Sequence, residues 1–228
     1  MIICKWCFSR CVKAGRQKNG NQKYRCTHCG KHRQEMYHYL AYESRIHEQF
    51  SRFFNMGSGV RRMAGFLGIS INTLQKWIGK AKYLSPVIVL PVNGEYDVDE
   101  IQTYTGTRMN KIWITYGWHI SRHEAIGLQV GGRSSQDLKV VVDEVLRNAP
   151  KTINTDNYSG YPCLIAKNIH RKGKRKANHI ERNHRNLRKD IACLIRETMC
   201  FSKRPEMLEA RIRWYFWGKT DPYFFLKK

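Results

Sequence analysis

The segment EYDVDEIQTYTG, residues 95–106, sets apolar Tyr96 and Val98 against Asp97 and Asp99 on the opposite side, with Ile101 a further apolar position. A period of two predicts a half-buried strand over 95–101 with carboxylates on one face. Two more runs rich in β-branched and aromatic residues follow, KIWITYGWH over 111–119 and EAIGLQV over 124–130, and Gly131-Gly132 ends the second. Ser134 is placed to cap a helix carrying Leu138, Val141, Val142, Val145 and Leu146. KTINT, residues 151–155, reads as a fourth strand ending at Asp156-Asn157. Three meandering strands, a crossover helix and another strand predict a mixed α/β sheet.

Residues 40–84 have helical periodicity instead. Tyr42, Ile46, Phe50, Phe53 and Phe54 recur at helix spacing until Asn55–Gly59 breaks the run. Val60, Met63, Ala64 and Leu67 then form one stripe, Gly68-Ile69-Ser70 a tight turn, and Leu74, Trp77 and Ile78 a second stripe. This is the spacing of a helix-turn-helix, with an ordinary helical hairpin as the competing reading that the adjoining ribbon and local charge disfavour. In the first reading Asn72, Thr73, Gln75 and Lys76 lie on the outer face of the second helix, with Arg61 and Arg62 opening the first. Amide, hydroxyl and ammonium groups so placed can read base edges in a major groove. From Ile180 onward Leu187, Ile191 and Leu194 continue a core-facing stripe, with Glu181, Arg185 and Arg188 beside it. The aromatic tail, Trp214 to Phe225, is expected to pack back on the sheet or on a partner.

Charge narrows the class of partner. Lys and Arg number 41 against 18 acids, a formal net charge of +23 at a pI near 9.9, which is the footprint of a protein that meets a polyanion, most often nucleic acid. With 42% hydrophobic residues the chain can bury a core. No apolar run is long enough for a membrane span, and MIICKWC has none of the layout of a signal peptide. A cytoplasmic, reducing setting is therefore expected. There, the pairs Cys4–Cys7 and Cys26–Cys29, 18 residues apart, suit one structural Zn²⁺ held by four thiolates rather than disulfides. Nine basic residues and no acid between positions 1 and 33 suggest that this small ribbon touches phosphate. The expected domains are thus a zinc ribbon over 1–38, a helix-turn-helix unit over 39–85 and an α/β domain over 86–228.

Against such a positive background, four acids within Glu95–Glu100 are conspicuous, because like charges repel unless a cation joins them. Asp99 in a strand, Asp156 at the end of an adjacent one and Glu181 on a helix can converge on two Mg²⁺ (or Mn²⁺) ions. Asp97 shares a strand face with Asp99 and is the alternative first acid, whereas Glu100 is expected to face away. Arg185 and Arg188, from a stretch with ten Lys or Arg and one acid over 167–189, would hold phosphate.

The order of ribbon, helical hairpin, DVDEIQTYTGTR, INTDNYSGYP and HIERNHRNLRKDIACLIRETMCFSK resembles the transposases of the insertion sequence one family. This resemblance implies a ribonuclease-H-like fold and a DDE recombinase whose triad is Asp99, Asp156 and Glu181, with Arg188 the basic residue seven positions past the Glu. It implies cleavage and strand transfer at inverted-repeat DNA ends and in target DNA, by a homodimer or higher oligomer. Where the family carries aromatics after the first acid pair, this chain has Ile101-Gln102. A structure-specific nuclease or resolvase on the same fold, or a non-enzymatic DNA-binding regulator, are the competing readings.

Overall fold

Three short antiparallel strands, β1 (Cys11–Arg16), β2 (Gln22–Cys26) and β3 (His32–Gln34), form a sheet of order β1-β2-β3 in the first of two compact units, Met1–Leu40. The computed structural model describes residues 2–18, 20–34, 39–86, 91–173, 178–195, 201–218 and 224–225. Cys4, Cys11, Tyr24 and Cys26 are the buried centre of this unit, with Ile2 and Cys7 packed against them. So few apolar side chains bury little area, and a metal-dependent fold is the physical expectation for such a unit.

The second unit, Ala41–Lys228, begins with α1 (Ser44–Asn55), α2 (Val60–Leu67) and α3 (Ile71–Ala81). Gly68 ends α2 in the left-handed region (φ 64°), where a side chain would be strained, and the Ser70 hydroxyl caps α3 by accepting from the Thr73 amide. The strands are β4 (Glu95–Thr105), β5 (Thr107–His119), β6 (Glu124–Gly131), β7 (Thr152–Thr155) and β8 (His170–Lys172). They form one sheet in the order β6-β5-β4-β7-β8. The first three pair antiparallel, and β4–β7 and β7–β8 pair parallel. This mixed five-stranded sheet is compatible with a ribonuclease-H-like core. Between β6 and β7 the chain crosses through α4 (Ser135–Leu146), whose first turn is fixed by a reciprocal Ser134–Asp137 capping box.

The two faces of the sheet bury different partners. On one, Tyr96, Val98, Ile126 and Ile153 pack against Leu138, Val141, Val142 and Val145 of α4. Gly117 permits this close approach, since a Cβ there would lie 2.6 Å from the Val145 Cγ2. On the other, Ile101, Ile114 and Tyr116 join Ile180 and Leu187 of α5 (Asn178–Asp190) and Leu208, Ile212 and Trp214 of α6 (Pro205–Trp217). Phe50, Phe54, Met63, Leu74 and Trp77 of α1–α3 belong to this same cluster. Each such fully buried side chain stabilises the fold by about 1.5–3 kcal/mol. The aromatic tail contributes there: the Trp217 indole donates to the Ala125 carbonyl at 3.1 Å, and Phe225 stacks on His47 with ring centroids 3.7 Å apart. Tyr223 of that tail, residues 87–90 and residues 196–200 of the last family-like motif lie outside the described residues. Among the described residues no helix is long and apolar enough to cross a membrane.

Candidate functional site

Strand register places the carboxylates. In the parallel β4–β7 pair, Asp97 stands opposite Asn154, so the step of two residues that carries β4 to Asp99 carries the other chain just past the end of β7, to Asp156. Beyond Thr155 the edge of β4 has lost its neighbour, and side chains from both faces of the strand can turn into the opening. Asp99 does so from the α5 face and Glu100 from the α4 face. Ligand oxygens of Asp99, Glu100 and Asp156 all lie within 4.8 Å of one another. Hard carboxylate oxygens this close fit a divalent cation of the Mg²⁺ class. Glu100, expected from strand alternation to face away, is therefore part of the cluster.

Such proximity has an electrostatic cost. Burial pushes the Asp99 carboxyl up to about 7, and the charges of Glu100 and Asp156 add to the rise. The Glu100 amide donates to Asp99 Oδ1 at 2.8 Å, and the Tyr158 amide to Asp156 Oδ1 at 2.9 Å, which fixes one oxygen of each. Arg133, in the turn between β6 and α4, supplies the compensating charge. Its Nε donates to Glu100 Oε1 at 3.1 Å and its guanidinium lies 3.6 Å from Asp156 Oδ2. No periodicity or spacing in the sequence marks Arg133 or Glu100 as site residues.

Asp97, the alternative first acid, is fully buried and committed elsewhere. Its Oδ1 accepts from Asn154 Nδ2 at 2.8 Å and its Oδ2 from the Ile180 amide at 3.3 Å, in the first turn of α5. Burial pushes this carboxyl up as well, with the Asn154 and Ile180 hydrogen bonds opposing. Asp97 thereby ties together the three elements that carry Asp99, Asp156 and Glu181. Glu181 is exposed in the first turn of α5 and is not in the group within 4.8 Å. It shares a helix stripe with His184, Arg185 and Arg188. His184 is buried, with Nδ1 3.8 Å from Asp99 Oδ2. Burial, then the Arg188 charge, pushes its imidazole down to about 3, so the ring is neutral and the contact is not an ion pair. Arg185 is exposed, while Arg188 lines a cavity of about 260 Å³ with Gln102, Tyr104 and Phe201.

The four predicted zinc ligands are brought together. Cys4 and Cys29 sulfurs are 3.6 Å apart, Cys7 and Cys26 sulfurs 3.4 Å, and all four lie within 4.8 Å. A tetrahedral Zn²⁺ with Zn–S of about 2.3 Å requires S···S of about 3.8 Å. Backbone amides of Trp6, His28 and Cys29 point at the Cys4 and Cys26 sulfurs, the pattern that stabilises thiolates in ligand knuckles. Hydrogen bonding from the Ser9 backbone holds the Cys7 thiol down to about 5. In the helical hairpin, Arg61, Arg62, Asn72, Gln75 and Lys76 are exposed. Thr73 is half-buried and engaged in the α3 cap, its hydroxyl 2.9 Å from that of Ser70.

Residues 94–220 match the IS1 transposase family. Similar proteins include the insertion element iso-IS1n protein InsB of Shigella dysenteriae, 25% identical over 113 residues that cover 50% of this chain and 86% of that protein. The insertion element IS1 protein InsB of Shigella flexneri is 26% identical over 119 residues, 52% of this chain and 91% of that protein. The family match runs from the residue before β4 to beyond α6 and takes in all three acids named from the sequence. Spanning more than half of the 228 residues, it establishes that the chain belongs to the IS1 transposase family.

Proposed function

We propose that this protein is a DDE-type DNA transposase that cleaves strands at the ends of its element and joins them to target DNA. The observation that carries the reading is the meeting of Asp99 and Asp156, 57 residues apart in sequence, at the open end of β7 (156 − 99). Asp99 and Asp156 hold the divalent ions, and Glu181 completes the set from the first turn of α5. When bound, two such ions activate the attacking oxygen and stabilise the leaving one. Neutral His184 packs against the Asp99 carboxyl without adding charge that would repel a cation. Arg185 and Arg188, on the Glu181 stripe, hold phosphates flanking the scissile bond.

Hydrolysis breaks a P–O bond and leaves a 3′-hydroxyl on the element and a 5′-phosphate on the flank. In strand transfer that hydroxyl attacks a target phosphorus, and the displaced 3′-oxygen leaves with a proton. Both steps are in-line displacements at one site, so no covalent intermediate with the enzyme is needed. The thiolates of Cys4, Cys7, Cys26 and Cys29 hold one structural Zn²⁺. The α2–α3 hairpin grips the ends, with Arg61 and Arg62 on phosphates and Asn72, Gln75 and Lys76 toward base edges. Joining two ends calls for at least a dimer on DNA.

The test is an oligonucleotide carrying one element end, incubated with the protein and Mn²⁺. Wild type is expected to nick it and to transfer a pre-cleaved end into plasmid. Asp99→Asn, Asp156→Asn and Glu181→Gln are expected to bind the end and do neither. Equal nicking by wild type and Asp156→Asn sinks the proposal; nicking without transfer of the pre-cleaved end assigns a nuclease instead.

A further inference from the structure

We infer that Arg133 is a positioning residue of the acidic centre, holding Asp156 in place through a circuit that also contains Glu100 and Tyr158. The inference rests on the metal-dependent reading above. Asp156 lies beyond the last ladder pair of β7, so strand pairing does not orient its side chain. Two contacts do so: the Tyr158 amide on Oδ1 at 2.9 Å and Arg133 at 3.6 Å from Oδ2. Arg133 is itself held by several contacts. Its guanidinium carbon lies 3.8 Å from the Tyr158 ring centroid and 4.5 Å from that of Trp113 on β5, so it packs over both aromatic rings. Its Nε donates to Glu100, whose side chain is fully buried, and the Tyr158 hydroxyl donates to the Arg133 carbonyl at 2.9 Å. β4, β5, the β6–α4 turn and the segment after β7 thus meet at one guanidinium. A planar fork is required here; an ammonium can neither cover both rings nor reach Glu100 and Asp156 together.

This arrangement has two separable effects. As a cation beside the carboxylates, Arg133 opposes a divalent ion. As a tether, it keeps Asp156 where the reaction needs it. Replacing it by an uncharged side chain therefore tightens metal binding while slowing the chemistry, a combination that plain loss of structure does not produce.

The experiment uses the full-length, zinc-loaded chain, with Mn²⁺ binding read by the spin resonance of free Mn²⁺ and end nicking measured at saturating Mn²⁺. For Arg133→Gln, Mn²⁺ affinity is expected to rise on the order of tenfold, and the nicking rate to fall on the order of 100-fold, as for a misplaced catalytic group. For Arg133→Lys, affinity is expected to stay within about twofold of wild type with the rate still low, because the charge remains and the geometry is lost. Wild-type affinity and rate in Arg133→Gln overturn the inference. So does a parallel fall of affinity, rate and melting temperature. Should Arg133→Gln lack a cooperative melt, a wild-type rate in Arg133→Lys overturns it and a low rate at wild-type affinity upholds it. Failure of the underlying reading looks different: Asp99→Asn and Asp156→Asn would then retain wild-type Mn²⁺ binding. If Arg133 alone is misjudged, those two lose Mn²⁺ while both Arg133 variants match wild type.

Discussion

Replacing Asp97 by Ala removes the acceptor that joins β4 to Asn154 of β7 and to the Ile180 amide of α5. Both donors lie in buried surroundings, so each loses its partner without gaining water. An unsatisfied buried donor costs about 1–3 kcal/mol, which places the gross loss at about 2–6 kcal/mol. Part is returned, because burial disfavours the charged Asp97 carboxyl and pushes its pKa up. A net loss of about 2–4 kcal/mol follows, equivalent to a fall of roughly 5–15 °C in melting temperature for a unit of this size. Asp97→Asn keeps one acceptor, and the Asn154 amide can turn its oxygen toward the new donor, so that variant should lose only about 1 kcal/mol. Urea unfolding gives the energies, and hydrogen exchange at the Ile180 amide reports the contact itself, with faster exchange expected in Asp97→Ala. A loss under about 1 kcal/mol with unchanged exchange at Ile180 would refute the clamp. Mn²⁺ binding separates the two strand acids: Asp97→Asn should keep it and Asp99→Asn should lose it. The reverse outcome makes Asp97 the first acid of the site.

Three further expectations follow from the geometry. Purified protein should hold about one zinc per chain, and Cys26→Ser should lose it together with specific end binding, as elemental analysis and a band-shift assay would show. The folded-state value of about 7 for Asp99 lies above its ordinary 3.8. Without divalent metal the folded chain therefore keeps a proton that the unfolded chain has released, and this group's contribution to stability falls as pH rises from about 4 through 7. Mn²⁺ displaces that proton, so the rise in melting temperature it produces should be larger at pH 8 than at pH 5; equal rises at both would count against a shared site. Arg61→Ala, which removes a phosphate contact, should weaken end binding and lower the salt slope by about 1, whereas Gln75→Ala should cost about 1–3 kcal/mol at one base pair only.

Much of this architecture can be read from the chain because its signals are local. The Cys pairs carry their own spacing, Ser134 and Asp137 write a capping box, and Gly68 with Ser70 marks the α2–α3 turn. β4 extends to Thr105, past the expected end at Ile101, because Gln102–Thr105 continues as the arm of a hairpin closed by Gly106 at φ 69°. β8 (His170–Lys172) was hidden: three polar residues inside a basic run look like loop, yet a charged, short segment is how sheets protect an edge. Asp97 and Asp99 share a face, so alternation treats them alike; what separates them is the packing of α5, which buries one and leaves the other at the opening. Glu100 does point to the opposite face, as alternation requires, but β7 stops short there and the two faces meet. Arg133 has no sequence signature, because its role arises from four segments converging on one guanidinium.

The most direct test of the account is anomalous diffraction from crystals of the protein bound to its end DNA and soaked in Mn²⁺. A peak bridged by Asp99 and Asp156, with Glu181 turned in from α5, is the predicted result. Mn²⁺ bound away from both aspartates, with a phosphate seated at some other surface, would contradict it.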